Sequence, residues 1–296
     1  MKTMIITDSN CDLDERYLKE ANIEVIPFHF ILSGKEYTDD FGKSISYKDF
    51  YDRLRKGDMA TTAQIAPNTY EEIFTRYVQK GFSIIYIGFS SALSESLNHS
   101  ILAKDAVLRN VPDADITIID SKSASVGQGL LVAGAAERLK SGKSKQEVIA
   151  WVEDTKLRVN HWFTVDSLDH LKRGGRLSAS SAAIGSILNV KPILIVDDDG
   201  RLVPEKKVVG RHHSIRELFN QLKDRGVDLS KQTIYISHGD CLDDANRLKD
   251  MIGQNLQVKN INISNLGPVI GAHTGPGLLC IAFIAEKRRS EALRRS

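Results

Sequence analysis

Short apolar runs alternate with segments of helical spacing in the first half of the chain, and this alternation limits the folds open to it. Four apolar runs are predicted to be buried strands, at residues 4–6, 24–32, 84–87 and 116–119. Helices are predicted at residues 47–56, 69–80, 95–110 and 129–139. Strands that alternate with helices indicate an α/β fold with a mainly parallel sheet and helices on both of its faces.

In the second half of the chain, strands are predicted more often than helices. Strands are predicted at residues 162–165, 192–196, 201–208, 233–237, 258–263 and 278–285, and helices at 144–158, 214–225 and 243–252. The sequence Asp-Asp-Asp-Gly at 197–200 predicts a hairpin turn. The pairs Asn68/Glu71, Ser144/Glu147 and Ser214/Glu217 have the spacing of capping boxes at helix starts.

The length of 296 residues favours two domains, because single cores stop growing near roughly 250–300 residues. We place the boundary near residue 160. The prediction is an N-terminal α/β domain at 1–160 and a C-terminal mixed α/β domain at 161–296, with a ligand cleft between them.

Composition excludes several classes of function. A net charge of +2 gives no bulk affinity for nucleic acid or anionic membrane. No apolar run of about 18 residues is present, so no stable membrane insertion is expected. Three widely spaced cysteines and eight histidines without a metal-binding spacing predict neither disulfides nor a metal site. A cytoplasmic protein without a cofactor is expected.

Residues 267–277 contain four glycines and two prolines, a composition that argues against a helix or a regular strand. The segment is predicted to be a rigid loop anchored by the apolar run at 278–285. It would present the imidazole of His273, the neighbouring hydroxyl of Thr274 and several backbone N–H groups to a ligand.

Hydroxyl and acidic residues follow three of the predicted strands, at 7–12, 90–94 and 120–125. In an open α/β sheet, ligands bind outside the carboxyl ends of the strands, where helix N-termini favour anions. The clusters therefore predict an anion cradle, although each serine alone is equally suited to helix capping. Thr62, in a predicted polar loop at 60–67, is a weaker candidate donor for the same ligand.

The basic segment at 169–178 places Arg173 and Arg176 around a glycine pair. Arginine donors match a carboxylate or a phosphate. The same pattern also fits a helix C-terminus with cations placed against its dipole. Both interpretations are open from the sequence.

A serine hydrolase is the competing enzymatic hypothesis. The sequence Gly-Phe-Ser-Ser-Ala at 88–92 nearly matches a nucleophile elbow between a strand and a helix. Ser90 or Ser91 would be the nucleophile, with Asp120 or Asp166 and then His273 following in the chain order of an α/β hydrolase.

These motifs together resemble the DegV family of bacterial fatty-acid-binding proteins over nearly the whole chain. The resemblance rests on seven segments in a fixed order, namely Asp-Ser-x-x-Asp-Leu at 8–13, Thr-Ala-Gln at 62–64, Ser-Ser-Ala-Leu-Ser at 90–94, the run at 120–129, Leu-Asp-His-Leu-Lys-Arg-Gly-Gly-Arg at 168–176, Lys-Pro-Ile-Leu at 191–194, and the segment with His273.

The resemblance implies that two α/β domains clasp one long-chain fatty acid. Its carboxylate would be held by Thr62, by Ser91 or Ser94, and by His273 with its neighbour Thr274. Arg173 or Arg176, together with Gly271, would border the site. The resemblance also implies a carrier rather than an enzyme: a partner subunit, an ATP-dependent fatty acid kinase, would phosphorylate the bound carboxylate to an acyl phosphate for phospholipid synthesis. Candidate residues for meeting that partner are Lys206, Lys207 and Arg211.

Two departures from the family pattern concern the head-group site. Ala63 and Glu95 stand where the family commonly has serine and glycine, while Thr62 and Ser94 are retained. An acyl tail in turn needs near-complete burial to give net affinity. Apolar candidates for the walls of a tunnel are Phe28, Phe30, Leu32, Ile184, Ile187, Leu188, Val269 and Ile270.

Overall fold

The computed structural model describes residues 2–177 and 189–288. The strands are β1 (Lys2–Asp8), β2 (Ile23–Ile26), β3 (His29–Leu32), β4 (Lys35–Thr38), β5 (Ala60–Ala63), β6 (Phe82–Gly88), β7 (Ile116–Asp120), β8 (Val159–Thr164), β9 (Val190–Val196), β10 (Leu202–Val209), β11 (Thr233–His238), β12 (Asn260–Asn265) and β13 (Leu279–Ile284). The helices are α1 (Glu15–Glu20), α2 (Tyr47–Arg55), α3 (Pro67–Gln79), α4 (Ser96–Asn110), α5 (Ser125–Lys140), α6 (Lys145–Thr155), α7 (Asp169–Arg173), α8 (Arg211–Arg225), α9 (Leu242–Asn255) and α10 (Pro268–Thr274).

The predicted parallel sheet in the first half is confirmed. Its four strands have the order β2-β1-β6-β7, and all three pairings are parallel. Strands β1 and β6 are buried along most of their length because helices cover the sheet. The carboxyl ends of these strands carry Asp8 and Gly88, which lie near the site described below.

A small antiparallel sheet, β4-β3-β5, was not predicted. The sequence indicated one strand at 24–32, but the chain breaks after Ile26 and resumes at His29. The predicted loop at 60–67 is likewise partly a strand, because β5 pairs with β3 and places Thr62 opposite Phe30. A four-residue strand of small polar residues carries too little apolar periodicity to be recognised from sequence.

The second half forms a six-stranded mixed sheet with the order β10-β9-β8-β13-β11-β12. The β11–β12 pair is parallel, and the other four pairings are antiparallel. The turn at 197–200 joins β9 and β10, as predicted. The sheet takes its central strand β8 from Val159 onward, and the division of the chain into domains near residue 160 stays a prediction.

Helix α5 lies between the two larger sheets. It contacts β1 and β6 on one side and β8, β11 and β13 on the other. Residues 125–133 of this helix are all buried, and two glycines allow close approach. A Cβ at Gly129 would lie 2.5 Å from the Cys11 carbonyl oxygen, and one at Gly127 would lie 1.7 Å from His161 Nε2. The first half of α5 therefore packs directly against both sheets.

Only one of the three predicted capping boxes is present. Ser144 and Glu147 form it at the start of α6. Helix α3 begins instead at Pro67, whose fixed φ suits the first helical position, and α8 begins after Gly210, with a φ of 86°. The residue spacing alone does not show whether a serine or asparagine is the N-cap residue or lies inside the first turn of the helix.

The prediction that 267–277 is entirely a loop is wrong, because residues 268–274 form helix α10. Pro268 occupies the first turn, where its missing N–H is not needed, and Gly275, with a φ of 75°, ends the helix. A Cβ at Gly271 would lie 2.6 Å from the Tyr51 hydroxyl oxygen, so this glycine allows α10 to pack against α2.

Two buried carboxylates hold the N-terminus of α10. Gly267 N donates to Asp12 Oδ1 at 2.8 Å, and the Val269 N–H donates to the carboxylate of Asp39. Tyr51 also donates from its hydroxyl to the Leu266 carbonyl at 3.0 Å. The helix that carries His273 is thus fixed by the first half of the chain, and the unsatisfied N–H groups of its first turn find partners there.

Arg288, in the charged segment that follows β13, is buried, with 2% of its surface exposed. It donates to the carbonyls of Val159, Lys156 and Asp197 at 2.7 to 3.0 Å, to the Lys122 carbonyl at 2.5 Å and to Ser123 Oγ at 2.7 Å. This guanidinium therefore ties the loop after β7 to the start of β8 and to the β9–β10 turn.

Across residues 2–177 and 189–288, no helix combines the length and the apolar character needed to span a bilayer.

Candidate functional site

A largely apolar cavity lies between the first half of the chain and the six-stranded sheet. Elements from both sides contribute to its wall, including β5, the loop after β6, the start of α5, β8 and α10. The lining residues are Asn10, Phe28, Thr62, Ala63, Gln64, Phe89, Leu93, Ser94, Ala124, Ser125, His161, Phe163, Arg176, Val196, Leu202, Leu266, Val269, Ile270, His273, Thr274, Leu278 and Cys280. None of these described lining residues carries a carboxylate.

Thr62 and His273 meet in this wall although they are 211 positions apart in the chain. The distance from Thr62 Oγ1 to His273 Nε2 is 2.8 Å, a hydrogen bond. Strand β5 supplies the threonine and the last turn of α10 supplies the histidine. The sequence-based pairing of these two residues at one site is therefore reproduced by the geometry.

The imidazole of His273 is neutral in the physiological pH range. Burial and, to a smaller extent, the positive charge of Arg176 together lower the pKa of His273 to about 4. A neutral imidazole can donate or accept a hydrogen bond without bringing a charge to the cavity. The positive charge at this end of the cavity therefore comes from Arg176.

The ends of α7 and α10 pack against each other and fix the orientation of the His273 ring. A Cβ at Gly174 would lie 2.2 Å from His273 Nδ1. Conversely, a Cβ at Gly275 would lie 2.5 Å from His170 Cδ2. Each of these two glycines leaves room for a histidine of the other helix, so Gly174 helps to set the position of the His273 imidazole.

The two arginine candidates have different environments. Arg176 lines the cavity, where its Nε donates to the Leu93 carbonyl at 3.2 Å and its Nη1 donates to the Gly174 carbonyl at 2.6 Å. Arg173 is exposed at the C-terminus of α7, and its Nη2 lies 3.1 Å from His170 Nδ1. The helix C-terminus interpretation thus fits Arg173, and the ligand interpretation fits Arg176.

Of the other predicted site residues, two line the cavity and two do not. Thr274 is buried, and its hydroxyl donates back to the Ile270 carbonyl at 3.0 Å. Ser94 Oγ lies 3.1 Å from Ser96 Oγ. In contrast, Ser91 and Gly271 lie outside the cavity wall. Between the two serines that the resemblance left open, the geometry favours Ser94.

The two serines of the hydrolase hypothesis lack a histidine partner among the described residues. Ser90 Oγ donates to the Gly200 carbonyl at 2.9 Å, and Ser91 Oγ donates to Asp120 Oδ2 at 2.6 Å. His273, the predicted base, is bonded to Thr62 instead. A serine without a neighbouring base is a weak nucleophile, so the geometry does not favour this alternative.

The apolar part of the wall includes three of the predicted tunnel residues, Phe28, Val269 and Ile270. Phe28 and Phe89 contact each other edge to face, with ring centroids 6.3 Å apart. Phe30 and Leu32 are instead fully buried in the core beneath the small sheet. The predicted positions Ile184, Ile187 and Leu188 lie outside the described residues.

Two polar residues of the wall were not predicted from the sequence. Asn10 and His161 are 1% and 2% exposed, and no described residue forms a hydrogen bond with any of their four side-chain nitrogen and oxygen atoms. Asn10 belongs to the strand-end cluster at 7–12, which did signal a ligand. A single histidine within the apolar strand β8 was the only signal for His161, and it was not used.

The predicted partner residues differ in accessibility. Lys207 is exposed on the edge strand β10, and Lys206 Nζ lies 2.6 Å from Glu217 Oε1. Arg211 is only 20% exposed, since its Nε bonds to Asp244 Oδ2 at 2.8 Å and its Nη2 lies 3.3 Å from Cys241 Sγ. This side chain joins α8 to α9, and a contact of Arg211 with a partner stays a prediction.

Among residues 2–177 and 189–288, no three histidine, cysteine or acidic side chains are grouped so that they could hold a metal ion.

The sequence profile described as "Uncharacterised protein, DegV family" matches residues 2–286. This chain belongs to the DegV family. A DegV domain-containing protein of Clostridium perfringens is 45% identical over 287 residues, which cover 97% of this chain and 99% of that protein.

Solved structures of DegV-family proteins share the fold. One from Thermus thermophilus, described as fatty acid binding, has a TM-score of 0.87 and 26% identity, and covers 96% of this chain and 100% of that one. DegV from Bacillus subtilis, described as a fatty acid binding protein, has a TM-score of 0.82 and 28% identity, with 97% and 100% covered. The α/β fold class predicted for this DegV-family chain is thereby confirmed.

Proposed function

We propose that this protein binds one long-chain fatty acid in the cavity between its two halves. One end of the cavity combines the Thr62 hydroxyl, the Ser94 hydroxyl, the His273 imidazole and the Arg176 guanidinium, and the rest of the wall is mainly apolar. Neutral donors beside one cation suit a carboxylate. The fatty-acid-binding relatives from Thermus thermophilus and Bacillus subtilis support the same ligand class.

The energetics favour an enclosed tail over a surface groove. About fifteen methylenes give roughly 12 kcal/mol of gross transfer free energy at about 0.8 kcal/mol each. Association and ordering cost an estimated ~4–15 kcal/mol. A useful affinity therefore requires that nearly the whole tail is removed from water. The apolar wall residues, among them Phe28 and Phe163, support the proposal because they offer such a tail apolar contacts.

We further propose that the protein is a carrier that presents the carboxylate to an ATP-dependent fatty acid kinase subunit. In that reaction a carboxylate oxygen attacks the γ-phosphorus of ATP, the bond to the β–γ bridging oxygen breaks, and acyl phosphate and ADP form. The carboxylate must remain ionised to attack. A neutral His273 can orient it without donating a full proton, while Arg176 compensates its charge.

The ligand proposal is tested by titrating the delipidated protein with hexadecanoic and octadecenoic acids in a calorimeter. We expect one site per chain with submicromolar affinity. Acids of six carbons should bind at least about 100-fold more weakly, because each buried methylene adds to the free energy of binding and a six-carbon acid has far fewer of them. Binding that is independent of chain length, or no binding, would overturn the proposal.

The carrier proposal has a separate test. The loaded protein, a bacterial fatty acid kinase subunit and ATP labelled at the γ-phosphate should give a labelled acyl phosphate, which hydroxylamine traps as a hydroxamate. Saturable fatty acid binding with no acyl phosphate, against a kinase that is active with its own carrier, would leave the lipid proposal standing and reject the kinase step.

A further inference from the structure

Two buried side chains in the cavity wall have no hydrogen-bond partner among residues 2–177 and 189–288. Within this part of the chain, no hydrogen bond of acceptable geometry reaches either ring nitrogen of His161 or either amide atom of Asn10. Buried polar atoms are nearly always hydrogen bonded, and leaving one unsatisfied is destabilising. Both residues line the cavity together with the start of α5. A ligand group in the cavity is the partner that their position offers.

The chemistry of the two side chains defines that group. Burial and then the charge of Arg288 lower the pKa of His161 well below its ordinary value, so the ring is neutral. The backbone of Val159 lies close enough to oppose this shift, but its geometry is too poor for a hydrogen bond to the ring. A neutral imidazole offers one donor and one acceptor, and the Asn10 amide offers both as well. An uncharged group that both donates and accepts matches these atoms.

The N-terminus of α5 adds to the same region. Ala124 and Ser125 line the cavity, and no side chain caps this helix end. A helix N-terminus favours an electron-rich atom such as an oxygen. The oxygen of a hydroxyl group near this helix end can accept a hydrogen bond from the protein. The same hydroxyl can donate a hydrogen bond to Asn10 or His161.

Strand geometry places His161 away from the head-group end. His161 precedes the last residue of β8, Thr164, by three positions, which corresponds to roughly 10 Å along the strand. Phe163, which also lines the cavity, points to the same face of the sheet, since alternate residues share a face. The chain just beyond β8 lies next to α10 and the residues that follow it, because α7 packs against α10 and a Cβ at Gly277 would meet Asp166. His161 therefore faces the acyl chain well below its carboxylate.

We propose that the preferred ligand is a long-chain fatty acid with a hydroxyl group part-way along its chain, which Asn10 and His161 bind by hydrogen bonds. This inference rests on the proposed function and specifies its ligand class. A rotation of the imidazole about its soft terminal torsion turns a ring nitrogen toward such a hydroxyl. The bare Cα of Gly127 is what allows the ring to lie beside α5, because a Cβ there would be 1.7 Å from His161 Nε2.

The test compares acids of equal length in calorimetric titrations of the delipidated full-length protein. The ligands are octadecanoic acid and its 3-, 8-, 10- and 12-hydroxy derivatives. We expect at least one of the three mid-chain hydroxy acids to bind at least about fivefold more tightly than octadecanoic acid, the factor for one additional net hydrogen bond. The 3-hydroxy acid, whose oxygen lies near Thr62 and His273, should show no benefit that depends on His161.

Variants assign the effect to the two residues. In His161→Leu and Asn10→Leu the preference for the mid-chain hydroxy acid should disappear, while octadecanoic acid binds as well as before or better. His161→Gln keeps a donor and an acceptor and should retain part of the preference. His213→Leu, which removes an exposed histidine outside the cavity, is the matched control and should behave as the wild type.

The outcomes separate this inference from the proposed function. If octadecanoic acid binds and no mid-chain hydroxy acid binds more tightly to the wild type, ordered water satisfies Asn10 and His161 and the inference is overturned, while the fatty acid proposal stands. A preference that survives both leucine variants also overturns it. If no acid binds at all, the proposed function itself fails.

Discussion

At the residue scale, the site depends on a few contacts between positions far apart in the chain. The bond of 2.8 Å between Thr62 and His273 joins β5 to α10, and Gly174 leaves the space that the His273 ring occupies. Both residues of the bonded pair were identified from motif resemblance. The role of Gly174 was not, because nothing in the sequence shows which side chain a glycine makes room for.

Replacement of His273 by alanine should affect the two proposed steps unequally. The buried tail dominates affinity, so we expect the dissociation constant for hexadecanoic acid to rise by no more than about fivefold. Acyl phosphate formation with a kinase subunit should fall by about 100-fold, the effect of losing one oriented hydrogen-bond group at a reacting centre. Calorimetry and hydroxamate trapping measure these two quantities. Losses of equal size would argue against this division of roles.

Gly174→Ala should displace the His273 imidazole without changing its chemistry. A methyl group 2.2 Å from Nδ1 cannot be accommodated, so the ring must move and its bond to Thr62 should weaken. We expect acyl phosphate formation to fall by about tenfold or more. Gly253→Ala on α9 is the matched control, because a Cβ there meets nothing within 4 Å. Full activity in Gly174→Ala would show that the ring position is not critical.

At the element scale, the regular pattern was predictable and the exceptions were not. The parallel strands and the amphipathic helices follow from apolar periodicity, and the capping box at Ser144 follows from local hydrogen bonding. Helix α10 was not predicted because the groups that stabilise its start are remote in sequence. Its N-terminal N–H groups are hydrogen bonded to Asp12 and Asp39 from the other half of the chain. The buried position of Arg288 also depends on carbonyls that are remote in sequence. The sequence around Arg288 is charged and therefore gives no sign that this side chain is buried.

The buried carboxylates predict a pH dependence of stability. Burial raises the pKa of Asp8 to about 6, although the Phe89 N–H, Tyr86 hydroxyl and Gln128 amide donate to it. Because the folded state holds the proton more tightly than the unfolded state, this group lowers the free energy of unfolding as pH rises from about 4 to 6. This stabilising contribution of protonated Asp8 to the free energy of unfolding amounts to roughly 3 kcal/mol at most, and it is lost once the pH rises past about 6.

The Asp8→Asn variant isolates this contribution. An amide does not titrate, so the free energy of unfolding of the variant, relative to the wild type, should increase between pH 4 and pH 7 by about 2–3 kcal/mol. Urea unfolding followed by circular dichroism at several pH values measures the difference. The variant can be less stable than the wild type at every pH because its hydrogen bonds differ. The diagnostic quantity is therefore the change with pH of the difference between the two free energies of unfolding. A difference that is flat with pH would contradict the assignment.

At the scale of the whole molecule, the cavity is built by both halves of the chain, and α5 connects them. Thr62 and Ser94 come from the first half, and Arg176 and His273 come from the second. Sequence reasoning located this arrangement because the DegV-family motifs appear in a fixed order. It did not reveal Asn10 and His161 as unpartnered wall residues, since the absence of a hydrogen bond is a property of the packed structure.

The outer surface gives a prediction that is independent of the cavity. Lys207 is exposed on edge strand β10, away from the cavity wall. Lys207→Glu should leave the amount of bound fatty acid unchanged, because no contact of the ligand is altered. If this strand meets a kinase subunit, charge reversal should raise the concentration of carrier needed for half-maximal acyl phosphate formation by about tenfold. A variant that loses its fatty acid, or one with unchanged kinase kinetics, would contradict this surface assignment.

The central claim is that the two halves of the chain enclose a fatty acid. Native mass spectrometry of the protein purified from bacteria, followed by analysis of the organic extract after denaturation, tests it most directly. We predict an adduct with the mass of one long-chain fatty acid per chain, which is recovered in the extract in a ratio of one to one. A protein that carries no fatty acid and takes up none when hexadecanoic or octadecenoic acid is added would contradict the account.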